Sequence, residues 1–315
     1  MSVAVVITCF NEGAYIQQAV RSVLEQTSAD EIDKVIIVDD GSAPSTLDVL
    51  LALPKLDSRI RLILERGNGL AKNRNIAISK TDSEYIAILD GDDFWAPDKL
   101  ERQLNLLRSD ETIGLAYAAP ILFEDEAPWK RTVVVVRDLR YARDPTLDYF
   151  IHDAPIVPSS VLMRRAAFEA IGGFDDSIRV FEDTEFYLRL SRLYRLAAVP
   201  GPLLYKRVHA SALTAKRDKL MMHHAYVALH FAAEEPRLLS YVGKRLAERA
   251  RKLGNLEARD GSIDKARDFY SLALSLNPFN FTARASKLLL RCYGRRSASV
   301  LSARWLAHLF HGRRA

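Results

Sequence analysis

Cysteine is nearly absent. Cys9 and Cys292 are the two in 315 residues, and they offer neither metal-ligand spacing nor a disulfide framework. A reducing, cytoplasmic compartment is therefore expected. Long apolar runs are missing as well. Stretches such as Val3–Thr8 and Val133–Val136 fall far short of the roughly 18 residues that a membrane span needs. No charged n-region followed by an apolar h-region opens the chain, so export by that route is not expected. With 27% charged and 49% hydrophobic residues, the composition excludes disordered and collagen-like classes. Two nucleotide-binding signatures are also missing. Lys72 stands where a dinucleotide fingerprint wants its third glycine, and no P-loop occurs.

The length suggests about two domains, and the charge supports a division. Residues 1–212 hold 25 basic and 32 acidic side chains, whereas residues 213–315 hold 20 and 8. An acidic part of net −7 thus precedes a basic part of net +12 within a chain of net +5. The acidic part alternates two periodicities. Val3–Thr8 is a β-branched run suited to a strand buried on both faces, and Tyr15–Glu25 spaces its apolar residues helically. Lys34–Val38, Arg61–Leu64 and Tyr85–Leu89 read as strands, and Thr46–Leu53 and Leu70–Ser79 as helices. Less regular strands and a loop are expected over Tyr117–Val136. Helices are then expected at Arg164–Ile171 and Glu182–Tyr194, with an extended stretch at Ala197–Tyr205. Such alternation predicts an α/β domain with a mostly parallel sheet flanked by helices, whose ligands bind beyond the carboxyl ends of the strands.

Carboxylates collect at those ends. Asp39-Asp40-Gly41-Ser42 closes the second strand, where a turn-forming role and a ligand-binding role stand about even. Asp90-Gly91-Asp92-Asp93 closes the fourth. Three carboxylates in four residues suit a hard cation that completes its shell with water and phosphate oxygens. Gly67-Asn68-Gly69 precedes a helix with Lys72 and Arg74, which could bring amides and cations to a phosphate.

The segments TCFNE, VDDGS, GNGLAKNRN, LDGDD, IGGFD, FEDTEFYLRL and YKRVHASALT occur in this order from Ser2 to about Thr214. Together they resemble the family-2 glycosyltransferases of the GT-A fold. The resemblance implies an inverting, metal-dependent transfer from a nucleotide-sugar, with UDP favoured, to a carbohydrate or lipid-linked saccharide. It implies that Thr8, Phe10 and Glu12 line the base pocket and that Asp40 hydrogen-bonds the base, with Asp39 a weaker candidate. Arg74 would approach the nucleotide or diphosphate. Asp90 would contact ribose or metal, Asp92 would ligate Mn²⁺ or Mg²⁺ with Asp93 in support, and His209 would approach the same centre. Asp183 would be the general base that takes the acceptor proton, with Glu182 as the alternative. Without the resemblance, Glu182 and Asp183 would be read as acidic residues favoured by a helix N-terminus. A nucleotidyltransferase would want a Gly-rich loop where Phe10-Asn11-Glu12 stands.

The domains expected are residues 1–214 for catalysis and an all-α region over 215–315. Within the latter, Leu253-Gly254, Gly261, Ala266, Tyr270, Ala273 and Pro278 resemble one tetratricopeptide unit over about 247–280. One unit is too few for a solenoid. Residues 298–314 form an amphipathic stretch with Trp305 beside arginines, fit for an anionic membrane or for docking on protein. A cytoplasmic protein is expected, with the inner membrane face as a candidate docking surface. No nucleic-acid partner is expected, because no binding motif accompanies the charge. A non-catalytic scaffold built on the helical region is the competing reading.

Overall fold

In the computed structural model, the described residues are 2–152, 155–209 and 217–293. The amphipathic stretch at 298–314 lies outside them, as do Ser211 and Thr214 of the closing segment. The chain divides into two units, one of Met1–Tyr149 with Asp153–Ala212 and one of Phe150–His152 with Leu213–Ala315.

The first unit is built around β1 (Val3–Cys9), buried at all seven positions. Both its edges are paired, and side chains on it share a core with the apolar stripe of the helix that follows. β2 (Ile32–Asp39) and β4 (Tyr85–Asp90) run parallel to it on either side, and β3 (Ile60–Leu64) extends the sheet beyond β2. Parallel neighbours need crossovers. These are supplied by α1 (Ile16–Leu24) before β2, α2 (Pro44–Ala52) before β3 and α3 (Leu70–Ile78) before β4. The α1 stripe of Ile16, Ala19, Val20 and Val23 is wholly buried against this sheet.

Strand register sets where the loops emerge. Thr8 lies opposite both Val38 and Asp90, and Cys9 opposite Asp39. The three strands therefore end level. The loops carrying Phe10–Glu12, Asp40–Ser42 and Gly91–Asp93 leave from one edge.

The other half of the sheet is mixed. It comprises β5 (Phe94–Trp95), β6 (Ile113–Glu124), β7 (Ala127–Val133), β8 (Leu162–Arg164) and β9 (Arg195–Arg207), in the order β3-β2-β1-β4-β8-β6-β9-β5 with β7 on β6. β8 is antiparallel to both β4 and β6, whereas β9 runs parallel to β6. Four helices fall between these strands along the chain: α4 (Lys99–Ser109), which packs on β6, β8 and β9, α5 (Pro145–His152), α6 (Arg165–Ala170) and α7 (Glu182–Leu190).

The last of these is shorter than its expected span to Tyr194, and its start is sharply defined. Phe181 has φ 64°, a left-handed conformation costly for a bulky residue, and it ends the incoming loop one residue before Glu182. Arg189 then ties α7 to the loop before it by donating to the Ile171 and Gly173 carbonyls at 2.6 and 2.8 Å.

The second unit contains α8 (Arg217–Glu234), α9 (Val242–Arg259), α10 (Ile263–Leu276) and α11 (Phe281–Tyr293). The expected helical hairpin falls on α9 and α10. A side chain at Gly254 would lie 2.7 Å from the Tyr270 ring, so a glycine lets the two helices meet there. No helix among the described residues is long and apolar enough to cross a membrane.

Candidate active site

One guanidinium organises the strand edge. Arg74, in the middle of α3, is completely buried. Its Nη2 donates to Asp90 Oδ1 at 3.0 Å and its Nη1 to Glu182 Oε1 at 2.6 Å. The end of β4 and the start of α7, far apart in sequence, are thereby joined through a single cation. Thr8 Oγ1 approaches Asp90 Oδ1 at 3.5 Å, and the Asp90 N–H donates to Ser159 Oγ at 3.0 Å.

Asp92 points elsewhere. Its Oδ2 lies 2.9 Å from His209 Nε2, two residues past the end of β9. Asp93 is buried. Its Oδ1 accepts the Arg207 N–H at 3.0 Å, and its Oδ2 lies 3.6 Å from Lys206 Nζ. Burial pushes the Asp93 carboxyl up to about 7, with Lys206 opposing and the Asp92 and Asp90 charges adding.

Glu12 reaches into the same cluster. Its Oε2 is buried without a hydrogen-bond partner among the described residues. A Cβ at Gly91 would sit 2.3 Å from that oxygen, which explains the glycine inside the aspartate run. Burial, then the charges of Asp92, Asp90 and Asp93, push the Glu12 carboxyl up to about 9.

Asp183 comes directly after Glu182 in the first turn of α7, and its Oδ1 accepts the Thr184 N–H at 2.7 Å. Burial, then the neighbouring Glu182 charge, push it up to about 7, against the pull of Arg74. Burial raises Glu182 as well, with Arg74 opposing.

The second strand end resolves into two roles. Asp39 serves its own turn, accepting the Gly41 and Ser42 N–H groups at 3.2 and 3.0 Å together with the Ser42 hydroxyl. Asp40 turns the other way and accepts the Asn68 and Gly69 N–H groups at 2.8 and 3.0 Å. Phe10, in the loop that follows β1, has 57% of its surface exposed, an open aromatic face.

Several structural residues of the site carried no signal in isolation. Asn11, at φ 61°, accepts the Ala43 N–H at 2.8 Å and so pins the first loop to the second. Asn75 holds Phe174 from both sides, accepting its N–H at 3.0 Å and donating to its carbonyl at 2.8 Å. Arg179 donates to the Asn68 carbonyl at 2.7 Å across the glycine loop.

Among the described residues, no three His, Cys, Asp or Glu groups are placed as a metal-binding cluster. Asp92 and His209 supply two donors, and the buried Glu12 Oε2, which has no hydrogen-bond partner among the described residues, belongs to the same cluster. That set fits Mn²⁺ or Mg²⁺, which take oxygen and imidazole ligands and fill their shells with water and phosphate.

The profile of glycosyl transferase family 2 matches residues 4–172. TuaG of Bacillus subtilis, a candidate glycosyltransferase of teichuronic acid biosynthesis, is 34% identical over 140 residues, 44% of this chain and 55% of its own. An uncharacterized glycosyltransferase of Rickettsia prowazekii is 26% identical over 67% of this chain and 65% of its own. The chain thus spans less than two thirds of the length of either relative. Among solved structures, S. aureus TarS 1–349 in complex with UDP-GlcNAc superposes with a TM-score of 0.61, at 15% identity, over 99% of this chain and 92% of that one. The mannosyltransferase PcManGT of Pyrobaculum calidifontis, in complex with GDP-Man and Mn²⁺, gives 0.59 at 18% identity, over 99% and 88%. At such identities the likeness concerns the fold, a GT-A domain followed by helices.

Proposed function

The chain belongs to glycosyl transferase family 2, and we propose that it transfers a sugar, with inversion, from a UDP-sugar to a hydroxyl of a saccharide or lipid-linked saccharide. The observation that carries the proposal is the Arg74 brace. It ties Asp90, beside the Asp92–His209 pair, to Glu182, beside Asp183. Donor-side and acceptor-side carboxylates then border one site.

In this reading Thr8, Phe10, Glu12 and Asp40 border the nucleoside, with Asp39 shaping the turn that presents Asp40. Asp92 and His209 hold Mn²⁺ or Mg²⁺, supported by Asp90 and Asp93. Bound there, the cation would offset the charge that develops on the departing nucleoside diphosphate. Asp183 takes the acceptor proton. Its carboxylate accepts a single backbone N–H, whereas Glu182 is held by Arg74, which favours Asp183 as the base. A carboxylate near neutrality suits that task because its base form is populated at pH 7 while it can still accept a proton. Residues 1–214 carry the reaction, and the basic region over 215–315 takes no part in it.

A thermal-shift panel of UDP, GDP and their sugars, each with and without Mn²⁺, tests the assignment. Ligand at a hundredfold above Kd stabilises by about 2.7 kcal/mol. A Tm rise of roughly 5–10 °C is then expected for UDP species with Mn²⁺. No rise with any nucleotide would overturn the reading, and a rise with GDP species alone would overturn the choice of UDP.

A further inference from the structure

Arg207 closes β9, is 5% exposed and touches three separate segments. Its backbone N–H donates to Asp93 Oδ1 and its Nε to the Asp92 carbonyl, both at 3.0 Å. Nη2 donates to Gln18 Oε1 at 2.7 Å, and Nη1 is paired with Asp125, at the turn between β6 and β7. The guanidinium carbon lies 4.3 Å from the centroid of Tyr15 and 4.7 Å from that of Phe123. All three nitrogens of the side chain are engaged and two aromatic rings pack on the guanidinium, so this cation serves as a fixed fork.

We propose that Arg207 is a positioning residue: by holding the Asp92 peptide and the Asp93 carboxylate it aims the Asp92 carboxylate at the cation site beside His209, and Asp125 holds Arg207 in that pose. The inference rests on the family-2 reading of the Asp92–His209 pair. The carbonyl that Arg207 grips is one bond from the Cα that bears the Asp92 side chain, so fixing the peptide plane limits where the carboxylate can point. The Asp92 loop is also held by the Gly91 N–H to the Thr8 carbonyl at 3.0 Å, by the Asp93 N–H to the Asp90 carbonyl at 3.1 Å, and by Lys206 Nζ 3.6 Å from Asp93 Oδ2, but among these contacts Arg207 is the group that grips the Asp92 carbonyl. Lysine at position 207 could not supply Nε and both Nη donors from one plane. Asp125 has a side chain 45% exposed on the hairpin turn. Its effect on the cation site should pass wholly through Arg207.

The test is Mn²⁺ binding in the presence of UDP, read by paramagnetic resonance of free Mn²⁺, for the full chain, Arg207→Lys, Asp125→Asn and the double variant. Loss of a residue that orients a metal ligand weakens binding by roughly 10–100-fold, so Arg207→Lys should lose about tenfold and Asp125→Asn about threefold. The double variant should match Arg207→Lys, because the two residues act as one unit. The Mn²⁺ concentration for half-maximal rate should rise in step, while turnover at saturating Mn²⁺ stays within about threefold of the parent. Equal Mn²⁺ affinity in all four proteins would overturn the proposal, and so would a double variant weakened by the product of the single losses. If Arg207→Lys does not fold, parental affinity in Asp125→Asn overturns it alone. A parent that takes up no Mn²⁺ with UDP or GDP would overturn the reading of the Asp92–His209 pair, and the proposal with it.

Discussion

Replacing Arg74 by methionine should cost more stability at pH 8 than at pH 5. The arginine is fully buried, and the Glu182 side chain it holds at 2.6 Å is 5% exposed. Methionine fills much of the volume but offers no donor, which leaves a buried carboxylate without its counter-charge. Breaking a buried pair from one side costs about 3–5 kcal/mol. In a unit of roughly 200 residues each kcal/mol moves Tm by about 2–4 °C, so a drop of about 6–20 °C is expected at pH 8. The pH dependence has a definite sign. Burial raises Glu182 in the parent, and its contribution to stability is therefore present at low pH and lost as pH rises through its folded pKa. Without Arg74 the carboxyl rises further, and the loss extends over a wider range. The deficit relative to the parent should thus grow with pH by up to about 1.4 kcal/mol per unit. Glu182→Gln added to Arg74→Met should recover part of it at pH 8. Differential scanning calorimetry from pH 5 to 8 reads all of this. A deficit below about 1 kcal/mol, or one independent of pH, would refute the claim that a buried ion pair joins β4 to α7.

Four further outcomes are expected from the same geometry. Because Asp183 is pushed up to about 7, its base form is lost as pH falls; kcat/KM should drop about tenfold per unit below about pH 7, and a flat profile from pH 5 to 8 would contradict its role. Asp183→Asn should lower turnover by about 10²–10⁴-fold with nucleotide affinity nearly unchanged. Gly91→Ala would place a methyl 2.3 Å from Glu12 Oε2; displacing that carboxyl should cost about 1–3 kcal/mol by calorimetry, and Glu12→Ala in the same chain should restore most of it. His209→Ala removes the group 2.9 Å from Asp92 Oδ2; a contact to a charged group is worth about 1.5–3 kcal/mol, so the Mn²⁺ needed for half-maximal rate should rise at least about tenfold.

Much of the parallel half was readable from the chain itself. The β-branched runs of β1, β2 and β4 and the apolar stripe of α1 are local signals, and level strand ends result once the strands pair in register. The antiparallel insertion of β8 was not readable. Three residues carry no mark of direction, and its place between β4 and β6 is decided by pairing with distant segments. The helix α4 escaped for another reason. Two of its buried positions are Lys99 and Gln103, which satisfy each other at 2.7 Å, so the inward face does not look apolar. The site divides similarly. Motif residues were visible as carboxylates after strands, whereas the parts that hold them are spread along the chain. Arg207 lies two residues from His209, yet its partners Gln18, Asp92 and Asp125 come from three other segments. What could be read of Arg74 was a cation near a glycine loop. That it spans Asp90 and Glu182 is a property of the folded chain.

The most direct test is nucleoside-diphosphate release from a panel of UDP-sugars with saccharide and lipid-linked acceptors in the presence of Mn²⁺, with the product anomer read by proton resonance. The parent protein should release nucleoside diphosphate with at least one donor and invert the anomeric carbon, and Asp92→Ala and Asp183→Asn should run near background. Release that is the same in the parent and both variants, or a product that retains the donor configuration, would contradict the proposed transfer.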